Sequence, residues 1–146
     1  MKHNGKEYIE DAYHDFDELK EIITVLRSEN GCKWDRAQTH ETLKKCLIEE
    51  SNEVIQAIDN KDDDSLCEEL GDVLLQVLLN SEIAKERKSF TLDDVIQQLC
   101  DKLIRRHPHV FGDAKADTPE ESLALWKEIK KKEKAKREEK KKGESL

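Results

Sequence analysis

CLIEESNEVI at residues 46–55, KDDD at 61–64 and EELGDVLLQV at 68–77 decide how this chain folds. In both apolar stretches the hydrophobic residues return every three or four positions, the period of a helix with one packed face. Leu43, Leu47, Val54 and Ile58 fall within about 60° of one another on a helical wheel, and Leu66, Leu70, Val73 and Val77 form a second stripe. The polar turn between them is short, so helices over residues 39–60 and 64–87 are expected to pack antiparallel as neighbours.

The same period marks three more helices outward from this pair. Phe16, Leu19, Ile22, Ile23 and Leu26 share one side of a segment over 13–28, which stops at the helix-ending pair Asn30-Gly31. A loop, CKWDRAQT (32–39), leads on to the second helix, and Trp34-Asp35 is expected to anchor it. Thr91 with Asp94 resembles a cap for a fourth helix carrying Leu92, Val95, Ile96, Leu99 and Leu103, which ends before Pro108. Thr118-Pro119-Glu120-Glu121 combines a cap, a first-turn proline and a glutamate three residues after the cap, so a fifth helix starts there. Its Leu123, Trp126 and Ile129 give way to KKKEKAKREEKKKGESL (130–146), which has no apolar stripe and reads as frayed, solvated helix or disorder. Strand signals are weak throughout. The expected fold is an all-α antiparallel helical bundle of four to five helices, one domain over residues 1–133 followed by a charged tail over 134–146.

Charged residues make up 41% of the 146-residue chain and the net charge is -8. Acids dominate residues 49–72 and lysines dominate 127–142, a balance that argues against general nucleic-acid binding, because phosphate backbones need a basic footprint. No run approaches the roughly 20 apolar residues that span a membrane, and MKHNGKEYIEDAYHDF lacks the apolar core of a signal peptide. A cytoplasmic protein without a membrane partner is the expectation. Cys32, Cys46, Cys67 and Cys100 form no C-x-x-C pair, and the last three sit where small buried hydrophobes are expected.

The acids inside the apolar segments carry the chemistry. Glu50 lies about 20° beyond the edge of the first stripe and Glu53 about 80°, with Glu49 about 120° away. Glu69 and Asp72 take similar positions on the next helix, with Glu68 further round. Antiparallel packing lets Glu50, Glu53, Glu69 and Asp72 converge, and like charges held together raise one another's pKa unless a cation is present. Oxygen-only ligands select a hard divalent ion, Mg²⁺ first and Mn²⁺ second. The competing reading is that acids three apart only solvate helix edges. Redox di-iron chemistry is disfavoured because no Glu-x-x-His occurs, and neither a P-loop, a G-x-G-x-x-G nor a G-x-S-x-G is present.

Glu49-Glu50-x-x-Glu53, then Glu69-x-x-Asp72 within ELGDVLLQV, then DKLIRRHPHVFGD (101–113), resembles the MazG family of nucleoside triphosphate pyrophosphohydrolases. The likeness extends upstream through CKWDRAQTHETL and downstream to LWKEIK (125–130), about residues 15–135 in all. It departs at Lys33, where the family usually has proline. The resemblance implies an all-α, Mg²⁺-dependent enzyme that cleaves a nucleoside triphosphate into monophosphate and pyrophosphate, as house-cleaning of the nucleotide pool, and a homodimer. It makes Glu50, Glu53, Glu69 and Asp72 the metal ligands and leaves Glu49 to orient or deprotonate water. Lys102 and Arg106, one helical turn apart, become phosphate contacts with a catalytic role, and Trp126 with Lys130 becomes part of the nucleotide site. For Trp126 core packing is the rival reading, and for Lys102 and Arg106 a solvated helix edge. His107-Pro108-His109 reads as a helix-ending turn rather than a metal site. Two other classes of function stand beside the enzyme: a nucleotide-binding or regulatory helical module without hydrolysis, and an adaptor whose basic stretch from Lys130 onward meets an acidic partner.

Overall fold

Two caps fix the central helix pair. Thr39 closes a reciprocal box at the start of α3 (His40–Asp59): its hydroxyl accepts from the Thr42 backbone N–H at 3.2 Å, while the Thr42 hydroxyl accepts from the Thr39 N–H at 2.8 Å. Asp62 caps α4 (Asp63–Glu86) by accepting from the Ser65 N–H at 3.2 Å and its hydroxyl at 2.8 Å. Lys61 between them takes a left-handed φ of 52°, which turns the chain back within three residues. The computed structural model describes residues 1–144. Its other elements are a hairpin of β1 (Lys2–His3) and β2 (Lys6–Glu7), then α1 (Phe16–Leu26), α2 (Lys33–Ala37), α5 (Leu92–Arg106), α6 (Pro108–Phe111) and α7 (Pro119–Glu144). The all-α class holds: the hairpin is the only sheet among the described residues.

The chain divides into two compact units, Met1–Leu92 and Asp93 onward. In the first, α3 lies along α4 and α1 packs on α4. Ile23, Leu43, Leu78, Leu79 and Ile83 form the core, flanked by Leu19, Leu26, Cys46, Leu75 and Leu92. Leu43 and Leu79 are fully buried. Arg27 ties the periphery together: its Nε and a terminal nitrogen donate to Glu86 at 2.7 and 3.0 Å, and its Nη1 donates to the carbonyls of Asp35 and Gln38. Gly31 is required where α1 ends, since a Cβ there would stand 2.2 Å from the Val25 carbonyl oxygen.

Three local expectations change. The 32–39 loop contains the short helix α2, and Trp34 is 60% exposed, so Arg27 and not the indole anchors this segment. Cys67 and Cys100 are exposed, and only Cys46 of the three packs against the core; all four cysteines are free. The apolar stripes are packed only in part: Leu43 is buried and Val54, Leu66 and Val73 are half-buried, as expected. Leu47, Ile58, Leu70 and Val77, placed on the stripes, are 42, 56, 51 and 41% exposed. The inward line of α3 starts from the stripe at Leu43 and is shifted toward the acids, through Cys46, Glu50 and Ala57. On α3 the acids lie at the edge of a wide apolar arc, and the two helices meet along that edge with the acids between them.

In the second unit, Thr118 caps α7 as expected, accepting from the Glu121 N–H at 3.2 Å while Glu121 accepts from the Asp117 N–H at 2.7 Å. Pro108 opens α6 where a simple turn was expected, and α7 continues to Glu144 as an exposed helix.

Candidate metal centre

Midway along the α3–α4 contact, Glu50, Glu53, Glu69 and Asp72 each present an oxygen within 4.8 Å of the others. Residues three apart on one helix stand a turn apart on one face, so an antiparallel pair of such helices brings two rungs of two carboxylates together. Glu50, Glu69 and Asp72 are half-buried and Glu53 is exposed. No lysine or arginine forms an ion pair with any of the four among the described residues.

The electrostatic strain is visible at single atoms. Glu50 Oε2 and Glu69 Oε2 are shielded from solvent and have no hydrogen-bond donor. Desolvation first, then the neighbouring Glu53, pushes the Glu50 carboxyl above its ordinary value. Glu69 is pushed up to about 7, chiefly by its side-chain hydrogen-bonding with Glu53, with desolvation and the charges of Glu53 and Asp72 adding to this. Two orphaned buried oxygens in an all-carboxylate set fit a hard divalent cation, which would satisfy both and remove the repulsion. Access is from the turn side: Glu53 and Glu69 line a cleft of about 270 Å³ with Gln56, Ala57, Asn60, Asp62 and Ser65.

Glu49 is not part of this group. It is exposed and forms an ion pair with Lys45 at 3.7 Å. The remaining candidates lie in the second unit. Arg106 is buried, its guanidinium carbon 4.9 Å from the centre of the Trp126 ring, and its Nε and a terminal nitrogen donate to Glu133 Oε2 at 3.2 and 2.8 Å. Trp126 is half-buried and also meets His107 edge-on at 5.5 Å. Lys102 is half-buried and Lys130 exposed.

Two residues were missed from the sequence. Glu133 was lost in the charged run, although it lies seven positions after Trp126 and therefore on the same face of α7. Gln76, one turn beyond Asp72, is 6% exposed with an unpartnered Oε1; a polar residue in an apolar run was the available signal.

Residues 38–111 match the MazG nucleotide pyrophosphohydrolase domain. The chain is 56% identical over 129 residues to the nucleoside triphosphate pyrophosphohydrolase/pyrophosphatase MazG of Thermotoga maritima, covering 88% of this chain and 49% of that protein. It is 45% identical over 120 residues to the nucleoside triphosphate pyrophosphohydrolase of Escherichia coli K12, covering 82% and 46%. The chain thus spans about half the length of these curated relatives. The crystal structure of a mazG-related protein from Thermotoga maritima superposes with a TM-score of 0.65 at 36% identity, covering 79% of this chain and 98% of that one.

Proposed function

The chain belongs to the MazG nucleotide pyrophosphohydrolase domain family, and from that footing we propose that it hydrolyses nucleoside triphosphates between the α and β phosphates, releasing monophosphate and pyrophosphate. The observation that carries this reading is the carboxylate quartet with its two buried, donorless oxygens. Glu50, Glu53, Glu69 and Asp72 would hold Mg²⁺, with Mn²⁺ as the second choice. When bound, such an ion activates water and neutralises phosphate charge.

The chain's own residues supply the rest. Glu49, adjacent to Glu50 but outside the quartet, is the carboxylate left to orient the attacking water and accept its proton. Lys102 and Arg106 bind the phosphate chain, and Trp126 with Lys130 receives the nucleoside. Neither nucleic acid nor membrane enters this reading; the substrate is a free nucleotide of the cytoplasm, and the role is house-cleaning of the pool. The active form is a homodimer. Leu47, Ile48, Ile55, Ile58 on α3 and Leu70, Leu74, Val77 on α4 are all exposed, an apolar face that a second copy would cover.

The test is incubation with Mg²⁺ and a panel of nucleoside triphosphates, with product identification. Monophosphate plus pyrophosphate is expected. Diphosphate plus orthophosphate would refute the bond assignment, and binding without turnover across the panel would favour the non-hydrolysing module.

A further inference from the structure

The stretch of α7 that carries no apolar stripe carries a different one. Trp126, Lys130, Glu133 and Arg137 fall within about 60° of one another on the helix. Glu133 and Arg137 of this row, with Lys136 beside them, line a cleft of about 500 Å³ together with Gln98, Asp101, Lys102, Arg105 and Arg106 of α5. Five cations and two carboxylates line it, a net charge of +3 in a chain of net charge -8.

The carboxylates are not spread evenly over those cations. Asp101 accepts from the Gln97 side chain at 3.2 and 3.3 Å. Glu133 takes both arginines: one oxygen accepts from Arg105 Nε, the other from Arg106 Nε and a terminal nitrogen. Arg106 is thereby gripped along one edge of its fork and stacked on Trp126, which leaves Nη1 as the nitrogen Glu133 does not use. Lys102, Lys136 and Arg137 line the same cleft with no carboxylate partner among the described residues.

We infer that this α5–α7 cleft receives a phosphate-chain anion, with Lys136 and Arg137 as further contacts and Glu133 as the positioning residue that presents Arg105 and Arg106 to it. The inference rests on the proposed function in naming where phosphates bind, and it adds residues that reading does not contain. A fixed guanidinium loses less freedom on meeting a phosphate than a free one, so the carboxylate that fixes it aids anion binding although it carries the wrong charge. That sets two effects against each other. If Glu133 acts only through its charge, removing that charge tightens anion binding; if it acts by positioning, removing it weakens binding.

The experiment titrates inorganic tripolyphosphate into the full chain in EDTA, in a Trp34→Phe background so that Trp126 is the sole fluorescent indole. Glu133→Gln is expected to weaken binding roughly tenfold, about what loss of one charge-assisted contact costs. Glu133→Asp should recover part of that loss. Unchanged or tighter binding by Glu133→Gln overturns the inference. Independently of how well that variant folds, Lys136→Ala with Arg137→Ala should weaken binding several-fold, whereas Lys140→Ala with Lys142→Ala, outside the cleft, should not; equal losses would mean a diffuse basic helix and overturn it as well. Turnover does not enter this assay, so a failure here leaves the hydrolase reading standing, and absence of hydrolysis leaves this one standing.

Discussion

Replacing Glu53 by glutamine changes one atom and should make the variant more stable than the unmodified protein without metal and less stable with it. Glu53 is the shared neighbour of Glu50 and Glu69, the two carboxylates driven upward in pKa, and both of those have a shielded oxygen without a donor. A carboxamide removes one of four crowded charges and brings an N–H₂ that donates to either orphan. A hydrogen bond made at an otherwise unsatisfied acceptor contributes about 1 kcal/mol net. For a unit of this size that is about 4–8 °C in Tm, so in EDTA Glu53→Gln should melt several degrees above the unmodified protein. With Mg²⁺ at a hundredfold excess over Kd, the unmodified protein gains about 2.7 kcal/mol, on the order of 10–20 °C, by mass action. The variant has lost an anionic ligand and should gain little at the same concentration, so the two melting curves cross. Circular dichroism melts in EDTA and in graded Mg²⁺ read both arms. A variant that melts lower in EDTA yet keeps the full Mg²⁺ increment would refute the reasoning, because Glu53 would then be a structural contact and not a ligand.

Four further outcomes follow from named groups. Glu69 titrates near 7 in the folded, metal-free protein against an ordinary 4.5, so metal-free stability should fall as pH rises through 7, and Mg²⁺ binding should weaken by up to about tenfold per pH unit below 7; calorimetry at about pH 6 in two buffers should detect one released proton, and a flat affinity would count against it. Glu133 is held at about 2 by Arg105 and then Arg106, so its contribution, on the order of 1–2 kcal/mol once solvent screening is allowed for, is present above about 4.5 and lost as pH falls toward 2; Glu133→Gln should flatten that acid limb in Trp126 fluorescence. Glu49→Gln should lower turnover by about 10² or more with Mg²⁺ affinity unchanged, and equal kcat would remove Glu49 from the water-activating role. Leu43→Ala, at a site 1% exposed, should cost about 2–5 kcal/mol in urea unfolding, and a smaller loss would mean the α3–α4 core collapses into the gap.

The helices and the quartet were legible from the sequence for one reason: both rest on local periodicity. Thr118 announces a helix start through side-chain chemistry that acts within three residues, and spacing of three places Glu50 with Glu53 and Glu69 with Asp72 whatever surrounds them. What the wheel could not decide is which side of each helix faces its partner. Leu47, Ile58, Leu70 and Val77 look inward by composition, yet packing along the acids leaves them out, because the apolar arc is wider than the buried face and period alone does not say which edge of it packs. Glu133 escaped for the opposite reason. In a run of lysines and glutamates every charge looks solvated, and only the tertiary placement of Arg105 and Arg106 singles one out.

The seam between α3 and α4 is built of two unlike halves, and that asymmetry explains how the fold tolerates the quartet. Toward the start of α3, Leu43 meets a dry core, and a polar chain closes the end: Arg87 Nε donates to His40 Nε2 at 3.1 Å, His40 Nδ1 donates to Asn80 Oδ1 at 2.8 Å, and Asn80 donates to the Gln76 carbonyl at 2.8 Å. This requires the neutral His40 tautomer with its proton on Nδ1, every contact in it being satisfied. Toward the turn, the same two helices offer four carboxylates, two orphaned oxygens and no compensating cation of their own. Unlike charges or apolar residues in the second half would strengthen the pair but leave nothing for an ion to do. Unsatisfied acceptors beside a well-packed clamp put repulsion and packing on one seam, and a divalent cation held between the carboxylates would recover the free energy that the repulsion costs. If an ion is held there, the packing at Leu43 and the polar chain through His40 and Arg87 would matter to its binding as much as the four carboxylates, because they are what opposes the repulsion along the same seam.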